Sequence, residues 1–289
     1  MPARESQLKE PPYPKSKNYK KKEKDLYIDV EDKDPVWLKD KGDHFFKRFD
    51  YHAALNAYSK ALKEDPQFLM GRLNRATTFI KLRGFVAAVD DCTDIITQIE
   101  GLKHEEYQPD KVFYDRIMAR ALVKRGAAHS WMSNFDEAIA DFEKVLASEE
   151  YVGIIGDLQI ENLRRDLSTI KCRKMSQEIK FQGDALFYQE NFDGALEKYA
   201  AALERDPNNE YALANIGLIY MMKLDHEQAI EYESRAINII DSFQAETKSF
   251  QKQNHLEIKL LLRRSKSYNA LQDYEKAKSD LDRILIIDP

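Results

Sequence analysis

The chain has 289 residues, of which 43% are hydrophobic and 33% charged, with a formal net charge of −5 at pH 7. That balance predicts a soluble chain with a real core, and it withholds the global positive charge of a nucleic-acid binder. No run approaches the roughly 18 apolar residues that span a bilayer, the start Met1-Pro-Ala-Arg-Glu-Ser6 has no secretory signal, and two cysteines, Cys92 and Cys172, build neither a disulfide framework nor a cysteine zinc site. A reducing, cytosolic or nuclear setting follows, with the cytoplasm as the expectation, and only 10 Gly and 9 Pro favour long helices over many short strands.

Residues 1–34 read as a disordered charged tail. Pro2, Pro11, Pro12 and Pro14 are followed by the basic run Lys20-Lys-Lys-Glu-Lys24 and then an acidic stretch from Asp25 to Asp34. Too few apolar residues are present to offset the entropy of ordering. The lysine run is a candidate nucleic-acid or nuclear-import contact, with a solvated linker as the alternative. The tail's nearly cancelling charges favour the linker.

From residue 35 a pattern repeats. Counting from Gly42, Ala54 lies twelve on, Tyr58 sixteen on, Ala61 nineteen on and Pro66 twenty-four on. Gly183 gives Ala195, Tyr199, Ala202 and Pro207 at the same steps. Gly126 gives Ala138, Phe142 and Val145; Ala76 gives Ala88, Cys92 and Ile95; Gly217 gives Ala229, Glu233 and Ala236; Ser265 gives Ala277, Leu281, Ile284 and Pro289. Apolar steps of three and four, as in Leu55, Tyr58 and Leu62, make each segment an amphipathic helix. Asp65-Pro66 and Asp206-Pro207 predict helix ends, because a residue before proline avoids helical angles. Six in-register segments of this kind resemble the tetratricopeptide repeat, a helix–turn–helix unit of about 34 residues. The resemblance covers 35–289. It implies an all-α solenoid in which small residues at the Gly42 and Ala54 positions let helix A and helix B of a repeat approach closely.

In chain order, the first triplet (35–155) holds repeats at 35–68, 69–102 and 119–152. A connecting helix is expected at 156–175, on Leu158, Ile160, Leu163, Leu167 and Ile170. The second triplet (176–289) holds repeats at 176–209, 210–243 and 258–289. Polar insertions, Gly101 to Met118 and Ser242 to Glu257, separate the second and third repeats of each triplet and are expected to lengthen their helices. The last repeat has an uncapped apolar end at Pro289, which predicts a partner or a further segment. Asp90-Asp91 is placed on a B helix facing solvent, and Tyr58, Tyr199, Tyr220 and Tyr268 at packing positions.

The polar groups repeat too. Lys39 and Asp43 recur as Lys180 and Asp184, Asn74 recurs as Asn215, and Arg120 and Lys124 recur as Lys259 and Arg263. Lys39 and Asp43 are four apart and share a helix face, as do Arg120 with Lys124 and Lys259 with Arg263. Cations and an amide converging on a groove lined by A helices suit an extended acidic peptide, whose carboxylates want charge-assisted donors.

These ten positions resemble the carboxylate clamp of co-chaperone tetratricopeptide domains, patterned Lys, Asn, Asn, Lys, Arg. The resemblance implies capture of the C-terminal Glu-Glu-Val-Asp of cytosolic heat-shock chaperones. Lys39 and Lys180 match the first position, Asn74 and Asn215 the third. The fourth and fifth keep their charge, reversed in Arg120 and Lys124 and matching in Lys259 and Arg263. At the second position Asp43 and Asp184 replace asparagine. An ionised aspartate only accepts hydrogen bonds, and two like charges about 4 Å apart repel by roughly 1 kcal/mol in water and about 4 kcal/mol at an effective dielectric of 20. Binding then requires that Lys39 or Lys180 neutralise the aspartate, or that the ligand tail sit differently.

The stretches Asp34-Pro-Val-Trp37-Leu-Lys-Asp-Lys-Gly42, Tyr51-His-Ala-Ala-Leu-Asn-Ala-Tyr58 and Leu73-Asn-Arg-Ala76 resemble the repeat domain of the dyslexia-susceptibility dynein axonemal assembly factors, and Pro2-Ala-Arg-Glu-Ser6 the segment before it. That resemblance implies a cytoplasmic co-chaperone role in preassembly of axonemal dynein arms, with client or scaffold proteins as further partners.

Catalytic motifs are missing from the sequence: there is no Gly-rich phosphate loop, His-Glu-x-x-His or Gly-x-Ser-x-Gly. The six histidines, His44, His52, His104, His129, His226 and His255, do not cluster. The expectation is therefore an adaptor that is not an enzyme, with no cofactor, no metal, no nucleic acid and no membrane partner. Two grooves on one chain would bring two partners together by effective concentration. The alternative is a scaffold whose grooves bind internal segments of partner proteins without chaperone dependence.

Overall fold

The computed structural model describes residues 34–246 and 251–288. The expected tail, 1–34, lies outside the described residues except for Asp34. In chain order the helices are α1 (Pro35–Lys47), α2 (Tyr51–Glu64), α3 (Leu69–Lys81), α4 (Phe85–Glu100), the short α5 (His104–Tyr107), α6 (Lys111–Trp131), α7 (Phe135–Ala147), α8 (Glu149–Ile155), α9 (Asp157–Tyr188), α10 (Phe192–Arg205), α11 (Glu210–Met222), α12 (His226–Glu246), α13 (Gln251–Ala270) and α14 (Tyr274–Ile287). No strand occurs among the described residues. The chain is an all-α tetratricopeptide-repeat fold.

Two compact units divide at Ser168/Thr169. In the first, A helices α1, α3 and α6 alternate with B helices α2, α4 and α7. In the second, the C-terminal part of α9 is the first A helix, followed by α10, α11, α12, α13 and α14. The expected connecting helix at 156–175 is therefore continuous with the first A helix of the second triplet, within α9. Ile160, Leu163 and Ile170 of that stretch are buried, whereas Leu158 is exposed. Beside the insertions, α6 has 21 residues, α12 has 21 and α13 has 20, so the flanking helices are lengthened as expected.

Each repeat is punctuated by its backbone. Among the described residues six non-glycine residues have positive φ: Phe49, Arg83, Ser133, Glu190, Leu224 and Gln272. One lies at the A–B turn of each repeat, seven residues after the small residue that begins the count. A left-handed residue ends an α-helix by turning its chain back. The following residue then caps helix B: Asp50 accepts from the Ala53 amide at 3.1 Å, Asn191 from Gly194 at 3.1 Å and Asp225 from Gln228 at 3.2 Å. At the other end of helix B, Asp65 and Asp206 are extended, with ψ 96° in both, and stop α2 and α10 ahead of their prolines.

Where the facing residue is a tyrosine, the A–B contact requires glycine. A Cβ on Gly42 would stand 2.5 Å from the Tyr58 ring, and one on Gly183 2.6 Å from the Tyr199 ring. Those rings are among the largest fully buried side chains. Around them Ala54, Ala61 and Leu38 are buried in the first unit, and Ala195, Ala202, Ile216 and Ile219 in the second.

A second interhelix device ties three of the repeats. Arg75 clasps Asp91 at 2.8 and 2.6 Å, Arg125 clasps Asp141 at 2.8 and 2.7 Å, and Arg264 clasps Asp280 at 2.9 and 2.6 Å. Each aspartate sits sixteen residues after its arginine. This corrects the reading of Asp90-Asp91: Asp90 faces solvent, but Asp91 is 3% exposed and joins helix B to helix A.

Candidate functional site

The expected residues fall on the A helices, and the first three of each set converge, joined by a tyrosine from helix B. In the first unit Asp43 on α1 is the centre. Its Oδ2 accepts from Lys39 Nζ at 2.9 Å, and its Oδ1 accepts from the Tyr58 hydroxyl at 2.6 Å and from Asn74 Nδ2 at 2.8 Å. Lys39 also reaches Asp40, at 2.6 Å. The second unit repeats the arrangement. Lys180 Nζ pairs with Asp184 Oδ2 at 2.6 Å, and Asp184 Oδ1 accepts from the Tyr199 hydroxyl at 2.8 Å and Asn215 Nδ2 at 2.9 Å.

The geometry explains why aspartate is tolerated. Three donors from three successive helices, one of them cationic, satisfy its carboxylate, so it does not stand as a bare charge. Burial works against the Lys39 ammonium, but its hydrogen bonds to Asp40 and Asp43 outweigh that and raise its pKa. Burial and the bonded aspartate push both tyrosine hydroxyls well above the usual phenol range, so they remain donors. Tyr58 and Tyr199 were read as packing residues. They pack, and they also carry the hydroxyl that orients the site carboxylate.

The third-repeat cations stand apart from this network. On α6, Arg120 is exposed and Lys124 half-buried. Burial lowers the Lys124 pKa, and the nearby positive charges of Arg120 and of Lys81, at the end of α3, lower it further. Sequence reasoning missed Lys81, which lies seven residues after Asn74 and so returns to the same helix face. Among the described residues none of these three cations has a carboxylate in salt-bridge range. Beside Lys124 on the B-helix side is the buried Cys92, whose thiol burial pushes up to about 12 and keeps neutral. On α13, Lys259 is exposed and Arg263 half-buried. Arg263 donates to the Ala214 carbonyl at 3.3 Å and lies near the buried Glu233. Lys180 is flanked by exposed rings, its ammonium 4.9 Å from the Phe181 centroid and 5.8 Å from that of Tyr211.

Each unit thus presents a self-neutralised Lys–Asp–Tyr–Asn cluster, followed along the A helices by cations with donor capacity to spare. That arrangement can hold an anionic chain without covalent chemistry. Among the described residues no group of His, Cys, Asp and Glu is placed to hold a metal ion, and no helix is long and apolar enough to cross a membrane. The Lys20–Lys24 run lies outside the described residues.

Comparison with known proteins finds tetratricopeptide repeats in the second unit. Profiles described as tetratricopeptide repeat match residues 182–245 and 259–289. Those two segments carry tetratricopeptide repeats. The chain is similar to Hsp70-Hsp90 organizing protein 1 of Glycine max, 25% identical over 186 residues that cover 62% of this chain and 31% of that one. It is similar to RNA polymerase II-associated protein 3 of Xenopus laevis, 26% identical over 65% of this chain and 30% of that one. It is also similar to dynein axonemal assembly factor 4 of Pongo pygmaeus, 31% identical over 116 residues, 40% of this chain and 26% of that one. The chain spans less than half the length of these relatives. The resemblance to repeat-bearing co-chaperones, with a partial likeness to a dynein axonemal assembly factor, is borne out by these matches.

Proposed function

We propose that the protein is a co-chaperone adaptor whose A-helix faces capture the acidic C-terminal tails of heat-shock chaperones. The observation that carries the reading is the set Lys81, Arg120 and Lys124, three cations on adjacent A helices with no carboxylate in salt-bridge range among the described residues. A peptide's terminal carboxylate and acidic side chains supply the missing partners as charge-assisted hydrogen bonds. The names of the relatives, which include Hsp70-Hsp90 organizing proteins, support the same class of partner. The likeness to a dynein axonemal assembly factor supports a cytoplasmic role in preassembly of dynein arms, with client proteins as the second class of partner.

A second reading is favoured by the closure of Lys39 on Asp40 and Asp43 and of Lys180 on Asp184. Cations already paired have less to offer a free carboxylate, and exposed Phe181 and Tyr211 suit an apolar side chain. On this reading the faces hold internal segments of scaffold partners, with no chaperone involved.

Fluorescence anisotropy with a labelled Glu-Glu-Val-Asp peptide separates the two. The co-chaperone reading expects binding that C-terminal amidation abolishes and that Lys124→Ala weakens about 10- to 100-fold, the worth of one charge-assisted bond. Equal binding of the free and amidated peptides would select the scaffold reading instead.

A further inference from the structure

The residue sixteen after a repeat's glycine faces that glycine from helix B, as at Gly42, Gly126, Gly183 and Gly217. Sixteen after the small residue, five repeats carry Tyr58, Cys92, Phe142, Tyr199 or Leu281; the fifth repeat carries Glu233. Glu233 is 0% exposed, and both its carboxyl oxygens lack a hydrogen-bond partner among the described residues. Its Cγ would stand 2.8 Å from a Cβ on Gly217, so it lies flat on α11 in the place Tyr199 takes against Gly183. Tyr199 has Asp184 as its acceptor there, whereas the residue after Gly217 is Leu218, which offers nothing polar.

The charged groups around Glu233 come from two helices. Arg263 and Arg264 reach toward it from α13 and Asp280 from α14. Arg264 is committed: it holds Asp280 through two bonds and Ser234 Oγ at 3.0 Å. Asp280 is likewise occupied by that arginine. Arg263 is the remaining cation, bonded only to a carbonyl among the described residues, and it is one of the residues that would receive a ligand's carboxylate. The first unit has no such rival, because the residue facing Lys124 there is the neutral thiol of Cys92.

We propose that Glu233 is an internal competitor for Arg263, so that the second unit takes up a proton on Glu233 when it captures an acidic peptide and the first unit does not. The inference rests on the peptide-capture reading above. An ionised Glu233 attracts Arg263 and repels the incoming carboxylate; a protonated Glu233 does neither. Burial sets Glu233 up for this, raising its pKa to about 8 against the opposing pull of Arg263 and Arg264. A ligand carboxylate brought close disfavours the ionised form further, and by linkage its affinity falls as pH rises through that range. The two faces then differ in kind: the first accepts acidic tails without this pH dependence, and the second loses affinity as pH rises through about 8.

The test uses the full chain carrying Arg120→Ala and Lys124→Ala, which silences the first face. The probe is an N-acetylated Glu-Glu-Val-Asp peptide, free of any group titrating near pH 8. Calorimetry in two buffers of different ionisation enthalpy counts protons. The expected result is uptake approaching one proton per peptide at about pH 9, where Glu233 starts ionised, binding there at least about fivefold weaker than at about pH 6.5, and neither effect in the same chain with Glu233→Gln. Binding that is pH-independent and takes up no proton in the chain that keeps Glu233 would overturn the proposal while leaving peptide capture intact. No binding under any condition, including with Glu233→Gln, would sink peptide capture by the second unit and this proposal with it.

Discussion

Asp43 and Asp184 decide the electrostatics of the two faces, since each accepts from a lysine, a tyrosine and an asparagine on three successive helices. The lysine partly spends its charge there. Asp43→Asn keeps an acceptor for Tyr58 and Asn74 but releases Lys39 from one of its two carboxylates. The expected outcome is about 3- to 10-fold tighter binding of a free-carboxylate peptide, with a stability change within about 1 kcal/mol because the ion pair is partly exposed. Glu233 makes a different prediction. Its folded pKa of about 8 stands above the roughly 4.3 of a free glutamate. The folded state therefore holds a proton that the unfolded chain releases between those values. Stability contributed by that proton is present at low pH, falls by up to about 1.4 kcal/mol per unit as pH rises through the window, and levels off above about 8. Comparing thermal melts of the native chain and Glu233→Gln from about pH 5 to about pH 9 isolates this slope, which the variant is expected to lose.

At the level of helices, the repeats are joined by two devices that differ in how plainly the sequence displays them. The aromatic-on-glycine contact was readable, because Gly42 with Tyr58 and Gly183 with Tyr199 stand at one spacing and the bulk of the ring demands a missing Cβ. The prolines after Asp65 and Asp206 marked helix ends for an equally local reason. The arginine–aspartate clasps were not read. Asp91 beside Asp90 looks like any solvated acidic pair, and only the packing of helix A on helix B shows that one of the two points inward at Arg75. The same recurrence, an arginine just before the small residue and an aspartate sixteen later, was present at Arg125 and Arg264 and could have given it away. The left-handed turns escaped notice because they fall on Phe49, Glu190 and Leu224, residue types that do not advertise positive φ. The clasps carry a prediction of their own. Asp91→Asn leaves the half-buried Arg75 guanidinium without its counter-charge and is expected to cost about 3 kcal/mol, read as a lowered urea midpoint.

Across the whole chain, the six-fold repetition and its doubling were the most legible features, since a fixed spacing survives wherever side chains vary. The positions of the ten site residues on A helices followed from that register. What the sequence did not reveal was their chemistry: that the aspartates are neutralised in place, that Lys81 joins Arg120 and Lys124, and that Glu233 stands against Arg263. Those depend on which side chains meet across helices, and a one-dimensional pattern holds no such distances. Under the proposed function the chain would have two receptor faces of unequal character, holding two acidic ends at once and so raising the effective concentration of one partner near another. The most direct test is the stoichiometry of peptide capture. Calorimetry of the native chain near neutral pH with a Glu-Glu-Val-Asp peptide is expected to give about two sites, falling to about one in the Arg120→Ala/Lys124→Ala chain and to none with the C-terminally amidated peptide. Heat identical for free and amidated peptide, or no binding at millimolar peptide, would contradict the account.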